Sequence, residues 1–301
     1  MTKQFRLTFL TFLLISTQAF SQTIETLRAN IEQIINSKNA VVGVAIKGME
    51  NQDTLSINGN KHFPLQSVFK LPISLTMLVE IDKGNFSFDQ KIEIKKSELL
   101  PGLWSPIREK YPEGSTLTIA EILEYTITLS DNVGCDKLLK LIGGPQAVET
   151  YFLNNYFKDI SLKINEETMQ NNWDLQFQNW TTPKEANRIL QAFYENKDSL
   201  LSQKSYDFVW ELMKATRTGK NRLKGQLPAE TIVAHKTGWS GTNITTGITA
   251  AVNNIGIIFL PNGKYFIISV FVTESKENLE TNEKIISDIA KAAWDYFINQ
   301  Q

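Results

Sequence analysis

Three short stretches of the sequence bring together residue types that move protons and hold charge. The first is Ser67-Val-Phe-Lys70. Residues three apart share one face of a helix, so this hydroxyl and amine can meet. A serine attacks a carbonyl only once a base takes its proton, and a lysine serves when burial or a nearby cation lowers its pKa. At a helix start the serine N–H also points outward, partly positive and placed to hold an oxyanion. The second stretch, Ser130-Asp131-Asn132, offers a hydroxyl for proton relay and an amide that both donates and accepts. Asp131 is expected to hold the turn rather than to meet a ligand. The third is Lys236-Thr237-Gly238. Its amine and hydroxyl suit an anion such as a carboxylate, and its glycine lets a ligand approach the strand backbone. Each stretch alone also reads as ordinary structure: a helix start, a polar turn, a strand end. By chance Ser-x-x-Lys is expected roughly once in this length and the two triplets roughly 0.05 and 0.07 times. Their joint occurrence, on the order of one in a few hundred, sets them apart.

Composition narrows the chemistry further. The 301 residues carry 31 Lys+Arg against 32 Asp+Glu, with two His and one Cys. A near-neutral chain gives no electrostatic reason to bind nucleic acid, and one cysteine excludes an internal disulfide framework. A zinc enzyme usually takes three His or Cys ligands, and the three such residues here, His62, Cys135 and His235, are far apart in sequence. A Ser-His-Asp triad stays open, with only His62 or His235 as its base. His235 precedes Lys236 on a strand, so the two side chains point to opposite faces, which suits a packed or hydrogen-bonded histidine. Cys135 reads as a small buried hydrophobe. No phosphate loop or nucleophile elbow is present, and nothing calls for a metal or a cofactor.

The elements that must position these groups follow from periodicity. Ile24, Leu27, Ile31, Ile34 and Ile35 mark one helix face. Residues 40–46 and 54–57 are β-rich, joined by a polar turn at Glu50–Asp53. Residues 66–81 are helical in pattern, with Pro72 expected to kink that helix or weaken its first turns. Residues 117–141 and 183–215 are mostly helical, and 255–260 and 265–272 flank a hairpin signal, Pro261-Asn-Gly263. An amphipathic helix through Ile285, Ile289 and Tyr296 closes the chain. Strands at both ends around a helical middle predict an α/β (α+β) fold: an antiparallel sheet flanked by the terminal helices, with an all-helical domain inserted. The expected division is a sheet domain of 22–60 and 213–301, a helical domain of 61–212, and the site in the cleft between them. Residues 1–21 read as a secretory signal peptide. Lys3 and Arg6 precede a short apolar run, and Ala19-Phe-Ser21 fits a cleavage site. The run is shorter than the roughly 20 residues that span a bilayer, so the mature protein is expected to be exported, periplasmic and free of the membrane.

The order and context of the three motifs resemble those of class A serine β-lactamases and their relatives, the penicillin-binding proteins. The resemblance covers essentially the whole mature chain. It implies that Ser67 is the acylated nucleophile, Lys70 the acylation base and Ser130 the relay to the ring nitrogen. Asn132 would bind the substrate's side-chain amide, Lys236 and Thr237 its carboxylate. The backbone N–H groups of Ser67 and Trp239 would form the oxyanion hole. Trp104 resembles the aromatic wall at the cleft mouth, with core packing as its other reading. In class A a glutamate between the second and third motifs activates the deacylating water. Glu166, in Lys163-Ile-Asn-Glu-Glu-Thr-Met-Gln170, occupies that place, with Glu167 as the alternative and Gln170 helping to hold the water.

Departures from the family pattern point to one branch. Met169 and Gln170 replace the usual Leu-Asn. Ile164 and Asn179 stand where an Arg–Asp pair normally ties the loop ends, and Asn243-Ile-Thr-Thr246 lacks the usual Arg. This is similar to the branch that hydrolyses extended-spectrum cephalosporins with an altered loop and a wider cleft. Arg222 resembles that branch's substitute carboxylate binder, a surface Arg being the alternative. Trp239 replaces a usually small residue and would narrow or line the pocket. The implied partner is a small-molecule β-lactam and the implied state a monomer. A D,D-peptidase, a non-hydrolysing β-lactam sensor module and a glutaminase of related fold are the rival readings.

Overall fold

A computed structural model of the protein describes residues 23–50 and 52–300. The expected signal peptide lies outside the described residues. The chain opens with α1 (Ile24–Asn36), capped by the Thr23 hydroxyl, and continues into β1 (Val41–Gly48) and β2 (Thr54–Ile57). Then come β3 (Phe63–Pro64), a 3-10 turn at Gln66–Phe69, α2 (Lys70–Asp82) and β4 (Lys91–Lys95). Next are α3 (Pro106–Lys110), β5 (Gly114–Thr118), α4 (Ile119–Thr128), α5 (Asn132–Ile142) and α6 (Pro145–Asn154). A long loop passes through β6 (Ile160–Ser161) and α7 (Glu166–Asn171) to β7 (Trp180–Thr181). The remainder comprises α8 (Pro183–Glu195), α9 (Gln203–Lys214), β8 (Val233–Trp239), β9 (Val252–Phe259), β10 (Tyr265–Thr273) and α10 (Leu279–Ile298).

The main sheet runs β2-β1-β10-β9-β8, with every neighbouring pair antiparallel. Its strands β9 and β10 are buried along almost their whole length because both faces are covered. On one face, Val42, Val44, Ile268 and Val270 pack with Leu27 and Ile31 of α1 and Ile285, Ile289 and Ala293 of α10. The other face, through Ile255, Ile257, Ile267 and Phe271, joins the core of the helical half. The β9–β10 hairpin turns at the expected Pro261-Asn-Gly263, where Leu260 N–H donates to Lys264 O (2.8 Å) and Gly263 takes φ +83°.

Helix α2 lies at the centre of the helical half, and every residue from Lys70 to Val79 is buried. A helix covered all round carries no polar stripe, so periodicity shows it poorly. Its start departs from the single helix of the sequence reading. Residues 66–69 wind as a 3-10 turn, and the α-helix begins at Lys70 with Pro72 in its first turn. A proline is tolerated there because its missing N–H has no helical partner in any case. The inserted half is also not purely helical. It carries a two-stranded β4–β5 ladder and a three-stranded β3-β7-β6 ladder. The strands of the second are two residues each, too short to show a period, whereas β4, Lys91-Ile-Glu-Ile-Lys95, alternates exposed and buried residues as a strand does and was a readable signal.

Candidate active site

The 3-10 turn carries Ser67 and sets Lys70 one turn further on, with Lys70 N–H donating to Ser67 O. Lys70 is fully buried. Its Nζ donates to Ser67 Oγ (2.7 Å) and to Asn132 Oδ1 (2.9 Å), and it contacts the Glu166 carboxylate. Three segments far apart in sequence thus meet on one nitrogen.

Ser130 and Asn132 sit at the junction of α4 and α5. Ser130 takes φ +59°, a left-handed conformation that costs a non-glycine residue energy and here aims the hydroxyl at Lys236. Asp131 holds that turn, as expected: its buried carboxylate accepts from Gly134 N–H (2.8 Å), Ile107 N–H (2.7 Å) and Ser105 Oγ (2.9 Å). Asn132 N–H donates to Trp104 O (3.0 Å), and the Trp104 indole N–H donates to Leu129 O (2.9 Å). Trp104 is 56% exposed, which rules out core packing.

On β8, Lys236 Nζ donates to Ser130 Oγ (3.0 Å) and to Thr237 O (3.2 Å). Burial, and then the nearby Lys70 charge, hold its amine well below the usual lysine range. Thr237 Oγ1 shares a 2.6 Å hydrogen bond with Thr218 Oγ1. Gly238 is needed for a reason the sequence reading misplaced. A Cβ there would lie 2.7 Å from Leu65 O, so the space belongs to the protein's own backbone at the serine turn rather than to a ligand. Asn253 of β9 stitches the same seam, its Nδ2 donating to Pro64 O (2.8 Å) and Leu65 O (3.1 Å).

Glu166 begins α7, capped by Asn165, and is 5% exposed against Lys70, whereas Glu167 is exposed and turns to the far side of the loop. Asp136, absent from the sequence reading, orients both: its two carboxylate oxygens accept from Glu166 N–H (2.8 Å) and Glu167 N–H (3.0 Å). Burial, and then the Glu166 charge, raise its pKa to about 7. The signal was present, since Asp136 stands four residues beyond Asn132 on one helix face.

Where the common pattern has an ion pair, a neutral clamp closes the loop. Buried Asn179 accepts from Lys163 N–H (2.7 Å) and Ile164 N–H (3.1 Å) and donates to Ile164 O (2.9 Å). Asn179→Ala strands three backbone groups, the two of Ile164 buried and that of Lys163 partly so, and should cost about 3 kcal/mol, read as a clear fall in Tm on thermal unfolding. An unchanged Tm would remove the clamp assignment.

Arg222 is buried, not a surface residue. Its Nε donates to Glu283 (3.1 Å), and one terminal nitrogen donates to Gly238 O (2.9 Å) and Asn253 O (3.1 Å). Most of the guanidinium therefore fastens β8 and β9 to α10 through Glu283, a partner with no local sequence signal.

His235 is buried on the face opposite Lys236, with Nδ1 against the Asn254 amide and no partner for Nε2. It stacks no role on the site. Burial, and then the Lys224 charge, lower its pKa from 6.5 to about 3. Between those values the unfolded chain binds a proton that the folded chain refuses. This site's contribution is therefore intact above pH 6.5 and is lost as pH falls through the window. A His235→Gln variant should lose less Tm than the unmutated protein on acidification across it; parallel Tm–pH curves would contradict this.

Ser67, Trp104, Ser130, Asn132, Glu166, Gln170, Arg222, Thr237 and Trp239 line one cleft of about 570 Å³, joined by Met169 and Trp173. Lys70 and Lys236 are buried beneath it. A cavity of about 580 Å³ lies on the other side of the 163–168 loop, and of the sequence-predicted site residues only Glu167, the alternative base, lines it. Among the described residues no group of His, Cys, Asp and Glu is placed to hold a metal ion.

A serine hydroxyl served by lysine, with a buried carboxylate one contact away, is the arrangement of a histidine-free serine acyl-transfer enzyme. The model of the beta-lactamase enzyme family matches residues 26–297. The chain belongs to that family. It is 58% identical over 276 residues to the beta-lactamase VEB-1 of Pseudomonas aeruginosa, covering 92% of each chain. It is 39% identical over 289 residues to the extended-spectrum beta-lactamase PER-1 of the same organism, covering 95% of this chain and 92% of that one. Among solved structures, the TLA-1 extended-spectrum beta-lactamase superposes with a TM-score of 0.88 at 48% identity, over 91% of this chain and 99% of that one.

Proposed function

We propose that the protein hydrolyses β-lactam antibiotics, penicillins and extended-spectrum cephalosporins, through an acyl-enzyme on Ser67. The observation that carries this reading is the buried Glu166 carboxylate against Lys70, in the same cluster as Ser67 Oγ. Two relatives bearing the extended-spectrum name support the substrate range.

In acylation, Lys70 takes the Ser67 proton as Oγ attacks the lactam carbonyl, and the N–H groups of Ser67 and Trp239 hold the oxyanion. Ser130, hydrogen-bonded to Lys236, passes a proton to the departing ring nitrogen. Lys236 and Thr237 hold the carboxylate. Arg222 assists with the guanidinium nitrogen that its bonds to Glu283 and the strand carbonyls leave over. Asn132 binds the side-chain amide and Trp104 walls the mouth. In deacylation Glu166, rather than Glu167, takes a proton from a water steadied by Gln170, and that water cleaves the ester.

Purified protein should turn over a chromogenic cephalosporin, and intact mass should show no adduct once substrate is consumed. One stable adduct per chain with no turnover would instead indicate a D,D-peptidase or a sensor module. We also infer export to the periplasm as a monomer after removal of residues 1–21. The basic start and short apolar run support this, and no described helix is long and apolar enough to cross a membrane. Mass spectrometry of the exported chain should find Gln22 at its N-terminus. The division into a sheet domain (22–60 and 213–301) and a helical domain (61–212) is supported by one core cluster that draws only on residues from Leu27 to Leu55 and from Leu223 to Phe297.

A further inference from the structure

Trp239 is 52% exposed in the cleft. Trp104 shares that exposure, but its indole N–H is bonded to Leu129 O. Among the described residues the Trp239 indole has no hydrogen bond and no ring partner. An indole is a large, rigid apolar surface that loses little freedom when covered, and each square ångström left in water costs about 25 cal/mol. Unlike the exposed Ile244 of the neighbouring loop, Trp239 is held at both sides of its backbone. It pairs with Val252, and the next residue, Ser240, is fixed by its N–H to Ala251 O (3.0 Å).

Its direction follows from the strand. Side chains alternate along β8, so Trp239 shares a face with Thr237, while Lys236 and Gly238 face the serine turn. Two residues of strand set the Trp239 and Thr237 Cα atoms roughly 7 Å apart, both lining the cleft, and Thr237 is the residue that holds the substrate carboxylate in the proposed mechanism. A substituent on the ring carbon next to the one bearing that carboxylate falls within this span. In cephalosporins that carbon carries the variable group, and in penicillins the corresponding position carries only methyls.

The geometry points to Trp239 as a specificity-determining residue that covers a planar aromatic or heteroaromatic substituent on the carbon beside the carboxylate-bearing one. The site thereby favours cephalosporins with such a ring over those with a methyl there. This rests on the reading of the cleft as a β-lactam site.

The test uses two cephalosporins with the same acyl side chain, one with methyl and one with a heteroarylthiomethyl group at that carbon. The quantity read is the ratio of their kcat/KM values. Comparing this ratio between proteins cancels the intrinsic reactivity of each compound, and any disturbance of the Trp239 backbone lowers both rates together. Trp239→Ala and Trp239→Leu should reduce the ratio about tenfold relative to the unmutated protein, and Trp239→Phe should retain most of it. Leucine keeps apolar bulk without a planar face, so it also guards against a poorly folding alanine variant. Ratios within twofold across all four proteins would overturn the proposal. Hydrolysis of neither compound by the unmutated protein would overturn the β-lactam reading itself, and the proposal with it.

Discussion

Glu166→Ala should give a protein that opens β-lactams once and then stops. In the folded chain the carboxylate is buried against Lys70, and its removal bears unequally on the two steps. The deacylating water loses its base, which should lower kcat by about 10²–10⁴-fold. Acylation is spared, because Lys70 keeps its bonds to Ser67 Oγ and Asn132 Oδ1 and the groups that open the ring stay in place. Acylation therefore outlasts deacylation, and intact mass should show one acyl group per chain persisting for hours. Glu167→Ala should behave nearly as the unmutated protein, since that side chain faces the opposite cavity. Normal turnover by Glu166→Ala would sink the deacylation assignment.

Ser67→Ala should carry the largest loss, on the order of 10⁶ in kcat, the scale seen when a hydrolase loses its covalent nucleophile. No adduct should form with any β-lactam. Lys70 keeps its Asn132 and Glu166 partners in this variant, so Tm should move little and the loss can be read as chemistry. Residual turnover above about one part in a hundred would mean that another group attacks the ring.

Much of this site was legible because its chemistry is written in local spacing. Ser67 and Lys70 are one helical turn apart, Ser130 and Asn132 share a turn, and Lys236 and Thr237 are adjacent. The alternation of a strand also set His235 opposite Lys236, and His235 is a buried residue against Asn254, as expected. What stayed hidden are partners recruited through space. Glu283 reaches Arg222 from the last helix, and one terminal nitrogen of Arg222 is spent on two strand carbonyls. A sequence that lacks the usual loop ion pair says what is missing but not that Asn179 replaces it with three bonds to backbone. Likewise Gly238 announces a close approach without saying to what. The β3-β7-β6 ladder escaped because two-residue strands have no period to read.

The seam between Asn253 and the Pro64 and Leu65 carbonyls also sets a timetable. Ser67 is translated early, but the strands that brace its turn come more than 160 residues later, and β1 waits for β10 to find its central neighbour. Such pairings are slow because long loops must close before any contact repays the entropy. A chain emerging from synthesis is therefore catalytically silent until its C-terminal quarter arrives. Appearance of hydrolysis during refolding should coincide with completion of the sheet, making enzymatic activity a clock for the last step of folding.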